Sequence, residues 1–360
     1  METDKMTLAE ITGAIEPLTE EWVEKARTRT AQLVMPSRAL GVLHTLSERL
    51  CGIQETMTPS IDRKAILIMA GDHGIAAEDV SAYPQEVTGA MVHTFLAGGA
   101  GINAISRHVG AEVSVVDMGI IPELDPDTIE GGEALRVRKV AGGTASFLRG
   151  PAMTRSDAEQ AVLTGFHLAS ELFDDGVDIL GTGDMGIGNT TPSAAIGTVI
   201  TGERPEVMVG PGTGVDDEGL KRKVDVVRRG IQLNQPNPTD GLDVLSKVGG
   251  FEIGGIAGSI LAGAFHRRPV MIDGFISTAG ALIAHALCPT VVDYLFSGHC
   301  SEEPGHRLML HYLGLEPILD LGMRLGEGTG GALAMGIMEG AVRVFREVMT
   351  FEEAGVSGED

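Results

Sequence analysis

The sequence predicts an α/β protein in which about six strands form a mostly parallel, Rossmann-like sheet. Three observations predict this fold class: short apolar runs alternate with longer helical stretches, loops rich in Gly, Asp, Ser or Thr follow the runs, and 50 of the 360 residues are glycine. Parallel strands need long crossover connections and are covered on both faces, which favours uniformly apolar runs. Abundant glycine without a collagen period indicates tight turns or backbone close to a ligand.

The apolar runs predict strands, each of which ends in a polar loop. Because ligands bind outside the carboxyl ends of strands in open α/β sheets, we expect the loops to form one site. The predicted strands are residues 65–70, 113–116, 177–180, 206–209, 269–272 and 291–296, and the loops are residues 70–74, 117–119, 181–191, 210–214, 273–280 and 297–306.

Both ends of the chain are predicted to be helical. Apolar residues follow helical spacing from Leu8 onward, no strand signal appears before Arg63, and residues 331–347 form another helical stretch. We therefore expect a small helical domain made from both chain ends and a large Rossmann-like catalytic domain. The predicted boundaries are residues 1–62 and 331–360 for the helical domain and residues 63–330 for the large domain.

The charge balance excludes several classes of partner. The chain has 27 basic and 50 acidic residues, a formal net charge of −23, which repels nucleic acid and anionic membranes. No apolar run reaches the ~18 residues of a membrane span, and the acidic N-terminus does not resemble a signal peptide. Three cysteines without CxxC spacing favour a reducing compartment. We expect a cytoplasmic protein that acts on small molecules.

The glycine-rich segment at residues 178–191 carries the strongest local signal. It runs from a strand into a loop and a helix, so its backbone N–H groups and the helix N-terminus predict a phosphate site. Gly181, Gly183 and Gly186 also match the dinucleotide pattern G-x-G-x-x-G, but the continuation through Asn189 and Thr190 favours a monophosphate. Dinucleotide binding and a purely structural turn remain the alternatives.

A second glycine loop, residues 210–214, is predicted to form another wall of this site. Lys223 follows it and is a candidate for the positive charge that an anionic ligand needs in an acidic protein. A tight turn followed by a solvated helix face is the alternative interpretation.

Glu327 lies between glycines just before the last long helix, in the segment RLGEGTGGA. Because glycines allow a substrate to approach closely, this carboxylate is a candidate general base. The alternative is a carboxylate that only complements the helix dipole.

Two other groups of polar residues could suggest a metal site or a hydrolase, but their patterns do not support either. His299, Cys300, Glu303 and His306 share a loop, but their spacing matches no closed zinc pattern, so we expect a substrate-facing loop and no metal. The adjacent Asp72 and His73, without a G-x-S-x-G elbow, are predicted to be a hydrogen-bonding pair in a loop rather than half of a hydrolase triad.

Taken together, the motifs resemble the nicotinate-nucleotide:dimethylbenzimidazole phosphoribosyltransferase family from about residue 65 to residue 351. This family implies a Rossmann-like domain with a helical domain from both termini, and a homodimer with the active site near its interface. The matching segments are AGDHGIAAEDVSAYPQEVT (70–88), GDMGIGNTT (183–191), GTGVDD (212–217), VGGFEIGGIAG (248–258), DGFISTAGAL (273–282) and LDLGMRLGEGTGGALA (319–334).

The resemblance also assigns residues to roles. It places Glu327 at the general base, with Asp184 as a second catalytic candidate. The positions it associates with the nucleotide and its phosphate are Gly186, Gly188, Asn189, Thr190, Gly212, Lys223, Asp273 and Ser301, and those around the base are Ser81, Tyr83, Met91, Met185 and Leu325. Two departures bear on substrate choice: Asp184 replaces a common glutamate, and Pro211 replaces a common arginine.

The resemblance implies transfer of the phosphoribosyl group of nicotinate mononucleotide to 5,6-dimethylbenzimidazole or a related base. The products would be α-ribazole 5′-phosphate and nicotinate, in the assembly of the cobalamin nucleotide loop, and no cofactor is expected. A non-catalytic module that senses nicotinate mononucleotide is the alternative, and a dehydrogenase is the third interpretation. The physiological acceptor, whether a benzimidazole, a purine or a phenol, stays open.

Overall fold

The computed structural model describes residues 5–356, which contain one seven-stranded sheet with all neighbouring strands parallel. The predicted α/β fold class is confirmed, with one strand more than expected. The strands are β1 (Lys64–Gly71), β2 (Ala111–Gly119), β3 (Leu135–Val137), β4 (Ile179–Met185), β5 (Val270–Ile272), β6 (Leu295–His299) and β7 (Pro317–Leu319). Their order is β3-β2-β1-β4-β5-β6-β7, so the direction of winding reverses between β1 and β4.

Helices cover both faces of the sheet, and the segments near both ends of the chain are also helical. Among the described residues the α-helices are α1 (Leu8–Ala14), α2 (Glu20–Ala31), α3 (Val42–Gln54), α4 (Val87–Leu96), α5 (Gly101–Val109), α6 (Arg155–Asp174), α7 (Thr190–Thr201), α8 (Pro205–Met208), α9 (Asp217–Asn234), α10 (Gly241–Val248), α11 (Phe251–Phe265), α12 (Phe275–Leu287), α13 (Gly305–Leu313), α14 (Thr329–Glu347) and α15 (Phe351–Ala354). Three 3-10 helices lie wholly within residues 6–356, at Gly74–Glu78, Gly132–Ala134 and Pro289–Tyr294.

The centre of the sheet is buried on both faces, as a parallel sheet requires. Every residue of β1 is buried. Helix α11, which packs against α6 and the sheet, is buried on all sides from residue 251 to residue 264. A helix that is apolar all round belongs to a protein interior, which explains why this segment shows no polar face in the sequence.

Two of the predicted strands are corrected by the structure. Residues 206–209 were expected to form a strand, but residues 205–208 form the short helix α8. Pro205 occupies its first turn, where proline is favoured, and buried Met208 supplies the apolar character that suggested a strand. The loop at residues 210–214 therefore follows a helix. Of the run at residues 291–296, only the last two residues belong to β6, because a 3-10 helix extends to Tyr294.

Two edge strands were not expected from the sequence. Strands β3 and β7 have three residues each and lie at opposite edges of the sheet. Each is only partly buried. Such short, half-covered strands carry too few residues to show a periodic pattern, so their apolar signal is lost among the loops.

The helices from the two chain ends pack together. Helix α3 contacts both α2 and α14, and Ala26, Cys51 and Phe345 form a small separate core there. Helix α14 also packs against β6, so it contributes to the main core. The division into two domains stays a prediction, and its residues 1–4 and 357–360 lie outside the described part of the chain. No helix within residues 5–356 has the length and apolar character needed to cross a membrane.

Candidate active site

A cavity of about 540 Å³ opens beside the carboxyl ends of β4, β5 and β6. This is the edge at which α/β sheets bind ligands. It brings together most of the residues predicted for the site: Tyr83, Met91, Asp184, Met185, Gly186, Asn189, Thr190, Gly212, Ser301, Leu325 and Glu327. The predicted residues that do not line it are Ser81, Gly188, Lys223 and Asp273. The lining residues that were not predicted as ligands are Val87, Ile187, Thr213, Gly274, Phe275, Ile276, His299, Glu303, Arg324 and Gly326.

One end of the cavity can hold an anion. Strand β4 ends at Met185, and the loop after it leads directly into the N-terminus of α7 at Thr190. At Gly186 a Cβ would lie 2.4 Å from the carbonyl oxygen of Gly71, so only glycine lets the loop pass so close to β1. The exposed N–H groups of a helix N-terminus and its dipole attract negative charge.

Lys223 adds a positive charge immediately behind this loop. Its Nζ donates to Thr190 Oγ1 at 2.9 Å and to the carbonyl oxygen of Gly210 at 3.0 Å. The lysine is buried, and burial lowers its pKa to about 8. Lys223 therefore tethers the loop at residues 210–214 to the start of α7, and an arriving anion would stabilise its charged form.

Glu303 was expected in a substrate-facing loop without a role of its own, and it lines the same end of the cavity. Its Oε1 accepts a hydrogen bond from the N–H of Gly212 at 2.8 Å, and burial raises its pKa. Arg324 donates to the carbonyl oxygen of Gly212 at 3.3 Å and also lines the cavity. The loop in which Pro211 stands thus still has a guanidinium beside it, contributed by a distant part of the chain.

Two further carboxyl groups, besides Glu303, face the cavity. Glu327 has a left-handed backbone (φ 63°), and its Oε2 accepts from the N–H of Ile102 at 3.1 Å. Burial, supplemented by the negative charge of Asp273, raises the pKa of Glu327. Asp184 accepts from Asn189 Nδ2 at 2.9 Å, and burial, together with the charge of Asp273, raises its pKa to about 8. Asp184 therefore holds its proton at neutral pH.

Asp273 was predicted among the nucleotide-binding residues, but it lies behind the turn that carries Glu327. Its Oδ2 accepts from the N–H of Gly328 at 3.1 Å and its Oδ1 from the N–H of Gly331 at 2.9 Å. The side chain is fully buried, which raises its pKa, and His299 Nε2 lies 3.6 Å from its Oδ1. Both carboxylate oxygens are thus engaged with the start of α14.

The loop at residues 299–306 faces the cavity, as the sequence predicted. His306 Nδ1 accepts the N–H of Ser301 at 2.8 Å, so its Nε2 carries the hydrogen that reaches Thr278 Oγ1 at 2.8 Å. Burial lowers the pKa of His306 to about 3, so the imidazole is neutral and holds Ser301 in place. Among the described residues, no three histidine, cysteine or acidic side chains are arranged to hold a metal ion.

The other end of the cavity is apolar and open. Tyr83 and Leu325 are 55% and 60% exposed and stand at its mouth, whereas Phe275 is buried. Met91 and Met185 also belong to this apolar lining. Ser81 does not line the cavity, but its Oγ accepts from the N–H of Tyr83 at 3.2 Å and lies 3.1 Å from Thr213 Oγ1. It connects the segment of Tyr83 to the anion-binding end.

The loop after β1 has a structural role, as predicted, but Asp72 and His73 bind separate partners and not each other. His73 Nε2 and Glu252 Oε1 lie 2.8 Å apart in the interior, and Asp72 Oδ2 accepts from the N–H of Ile121 at 2.8 Å. Each residue thus binds a partner on a different element, which holds the loop beside the cavity.

The fold and the cavity are those of an α/β enzyme with a small-molecule site at the carboxyl ends of parallel strands. Comparison with protein families agrees with this class: the model of a family described as phosphoribosyltransferase matches residues 15–356. The chain belongs to this family. The resemblance identified from the sequence motifs is confirmed.

Individual relatives are similar over almost their whole length. The nicotinate-nucleotide–dimethylbenzimidazole phosphoribosyltransferase of Geobacter sulfurreducens is 51% identical over 353 residues, 98% of this chain and 99% of the relative. The enzyme of the same name from Chloroflexus aggregans is 49% identical and covers 97% of this chain and 98% of its own. The crystal structure of the enzyme from Thermus thermophilus superposes with a TM-score of 0.88 at 45% identity, over 94% of this chain and 99% of that one. These relatives give no support to a non-catalytic module or a dehydrogenase.

Proposed function

We propose that this protein transfers the phosphoribosyl group of nicotinate mononucleotide to 5,6-dimethylbenzimidazole or a related base, a step of cobalamin nucleotide-loop assembly. The names of its relatives support this reaction. The observation that carries the proposal is Glu327, a buried carboxylate with a raised pKa that lines the cavity together with the anion-binding N-terminus of α7 and an apolar subsite. The N-terminus of α7 suits the phosphate, Glu327 suits the reacting centre, and the apolar subsite suits the flat base.

The donor supplies most of the driving force. The pyridinium ring of nicotinate mononucleotide carries a positive charge, and when its bond to the ribose breaks, the electron pair stays on the ring nitrogen and neutralises it. One nitrogen of the incoming base attacks the anomeric carbon from the opposite face, so the β-linked donor gives an α-linked product. The second ring nitrogen must then lose a proton, because the product would otherwise be cationic.

Glu327 is the proposed acceptor of that proton. Burial raises its pKa, which makes the carboxylate a stronger base than an exposed glutamate, and the hydrogen bond from Ile102 holds one oxygen in place. General-base catalysis of this kind contributes about 10²- to 10⁴-fold, in addition to the orientation of the two substrates.

Asp184 is proposed to assist in its protonated form. With a pKa of about 8 it can donate a hydrogen bond to a substrate atom from the edge of the cavity, while Asn189 donates to its other side. Its side chain is one carbon shorter than the glutamate that is common in the family, so its hydrogen bond reaches less far into the cavity.

The nucleotide is proposed to bind at the end of the cavity where α7 begins. Gly186, Gly188, Asn189 and Thr190 would surround its phosphate, with Gly212, Lys223 and Ser301 on the other side. The apolar subsite would take the acceptor base between Tyr83, Met91, Met185 and Leu325, because flat heterocycles favour apolar and stacking contacts.

Further proposals concern the state of the protein in the cell. We propose a cytoplasmic homodimer with the active site near the subunit interface, which acts on small molecules without a cofactor or metal ion. The strongly negative surface supports the absence of nucleic acid and membrane partners.

A product assay tests the reaction directly. The protein is incubated with nicotinate mononucleotide and, separately, dimethylbenzimidazole, hydroxybenzimidazole, adenine or phenol, and both nicotinate and the new nucleotide are quantified. We expect nicotinate to appear only with a suitable acceptor and in equal amount to the new nucleotide. Release of nicotinate without an acceptor would indicate a hydrolase, and binding without release under every condition would contradict the proposal.

A further inference from the structure

The turn that carries Glu327 has an unusual backbone. Gly326, Glu327 and Gly328 have φ angles of 83°, 63° and 90°, three consecutive residues in the left-handed region. Glycine adopts this region readily, but glutamate does not, so the surrounding structure must hold Glu327 in this conformation. Such a turn aims the Glu327 carboxylate at the cavity only while its neighbours restrain it.

Asp273 supplies that restraint from the end of β5. Each of its oxygens accepts one backbone N–H, from Gly328 at 3.1 Å and from Gly331 at 2.9 Å. These two donors bracket the first residues of α14, so the carboxylate binds the helix N-terminus on the side next to Glu327. Burying a carboxylate is costly unless it is hydrogen-bonded, and Asp273 is fully buried with both oxygens occupied.

The other side of Glu327 is restrained independently. The N–H of Ile102, in the first turn of α5, donates to Glu327 Oε2, and a Cβ at Gly101 would lie 2.8 Å from Leu325 Cδ2 and 3.3 Å from Glu327 Oε2. The carboxylate thus lies between α5 and α14, with its backbone held by Asp273 and its side chain by Ile102.

We propose that Asp273 is a positioning residue of the transfer reaction, which acts through Glu327 and not by binding the nucleotide. It does not line the cavity, and both of its oxygens are engaged by the turn that presents Glu327. This inference rests on the proposed role of Glu327 as the general base. The charged or titratable groups around Asp273 are Asp184, His299 and Glu327.

The test is Asp273→Asn, which keeps the size of the side chain but replaces one acceptor oxygen by an amide that cannot accept an N–H. We expect kcat to fall about 10- to 100-fold, while KM for nicotinate mononucleotide stays within about two-fold. Because the negative charge of Asp273 contributes to the raised pKa of Glu327, the acidic limb of the pH profile moves to lower pH. That shift reports the lost charge, whereas a fall in kcat at the pH optimum with KM unchanged reports the positioning role. A raised KM for the nucleotide with unchanged kcat would overturn the proposal.

A double substitution separates this inference from the proposal on which it rests. If Asp273 acts through Glu327, Asp273→Asn has little further effect on the residual turnover of a Glu327→Gln chain. Independent, multiplying effects would contradict the positioning role. If Glu327→Gln alone leaves turnover normal, the proposed base is wrong, and that failure is seen without any change at Asp273.

Controls address folding. Asp240 also caps a helix, since its side chain accepts from the N–H of Asp243 at the start of α10, and Asp240→Asn should leave kcat unchanged. Asp273→Ser is a second variant that retains an acceptor for one of the two N–H groups, and the kinetics are read from whichever variant shows native circular dichroism. If neither variant folds, Asp273 is a residue of the fold rather than of the site, and the proposal is overturned.

Discussion

The two ends of the cavity are built in different ways. The anion-binding end consists of backbone N–H groups, the start of α7 and the buried groups Lys223 and Glu303, each fixed by hydrogen bonds. The apolar end is open, with more than half of Tyr83 and Leu325 exposed. The first is held by hydrogen bonds between its buried groups, whereas the exposed side chains of the second can adjust at little cost. If the donor and the acceptor bind as proposed, we expect strict selection of the donor and looser selection of the acceptor.

The largest expected effect is at Glu327, which serves both ends. Glu327→Gln should lower kcat by about 100-fold or more, with little change in nucleotide affinity, because the amide cannot take the proton. The base must be ionised, so wild-type activity should decrease as the pH falls through the raised pKa of Glu327, and the variant should lose this dependence. Steady-state kinetics from pH 4 to 9 provide the measurement. Turnover near normal in the variant would exclude Glu327 as the base.

Substitution of Asp184 tests whether the buried polar groups of the cavity lower the free energy of unfolding. Its folded-state pKa of about 8 lies above the unfolded value, so between about pH 4 and pH 8 the folded chain holds a proton that the unfolded chain releases. The contribution of Asp184 to the free energy of unfolding therefore decreases as the pH rises through this window. The free energy of unfolding of the Asp184→Asn chain should exceed that of wild type by more at pH 8 than at pH 5. We expect the two differences to be about 1 to 3 kcal/mol apart.

Thermal unfolding of both chains at the two pH values measures this difference. Asp62→Asn is the matched control, because Asp62 is exposed and should show no such pH-dependent gain. An equal effect of the Asp184 substitution at pH 5 and pH 8 would mean that Asp184 is ionised in the folded protein at both.

Lys223→Met should weaken binding only at the anion-binding end of the cavity. Methionine fills a similar volume without charge, and the loss of a charge-assisted hydrogen bond, about 1.5 to 3 kcal/mol, raises KM for nicotinate mononucleotide about 10- to 100-fold. Lys221, on the same helix but exposed, is the matched control. If Lys221→Met has the same effect, general electrostatic attraction accounts for it, and the buried position of Lys223 does not.

Leu325→Ala should give the smallest effect, confined to the apolar end. Part of a wall of the acceptor subsite is removed, so the ratio of kcat/KM between two acceptors should change about two- to five-fold, with KM for the nucleotide unchanged. Leu321 is equally exposed and does not line the cavity, so Leu321→Ala is the matched control. A larger change for the nucleotide than for the acceptors would show that the two ends are not separate.

The fold could be predicted because most strands of the sheet correspond to a local sequence pattern, an apolar run followed by a polar loop. The run at residues 65–70 is apolar throughout, since β1 is buried on both faces, and a loop rich in polar residues and glycine follows it. The short helix α8 and the edge strands β3 and β7 could not be predicted, because three or four residues give no period. Their form depends on Pro205 and on pairing at the sheet edges.

For the same reason, local sequence patterns indicated the contiguous parts of the site but not the contacts between them. The glycine loop before α7 is contiguous, so its chemistry is visible in the sequence. Arg324 and Glu303 approach Gly212 across about a hundred residues, and no local pattern indicates that they meet. The loops that contain them were noted, but their contacts were not.

The sequence by itself determined the fold class, the family, the glycine loop predicted to bind phosphate and Glu327 as the candidate base. Only the tertiary structure decided that Asp273 lies behind Glu327, that Asp184 is protonated at neutral pH, and that one end of the cavity is held by hydrogen bonds and the other is open. The physical reason is that secondary structure and motifs depend on neighbouring residues. Burial, pKa shifts and hydrogen bonds such as that from Ile102 to Glu327 depend on segments that meet only when the chain folds.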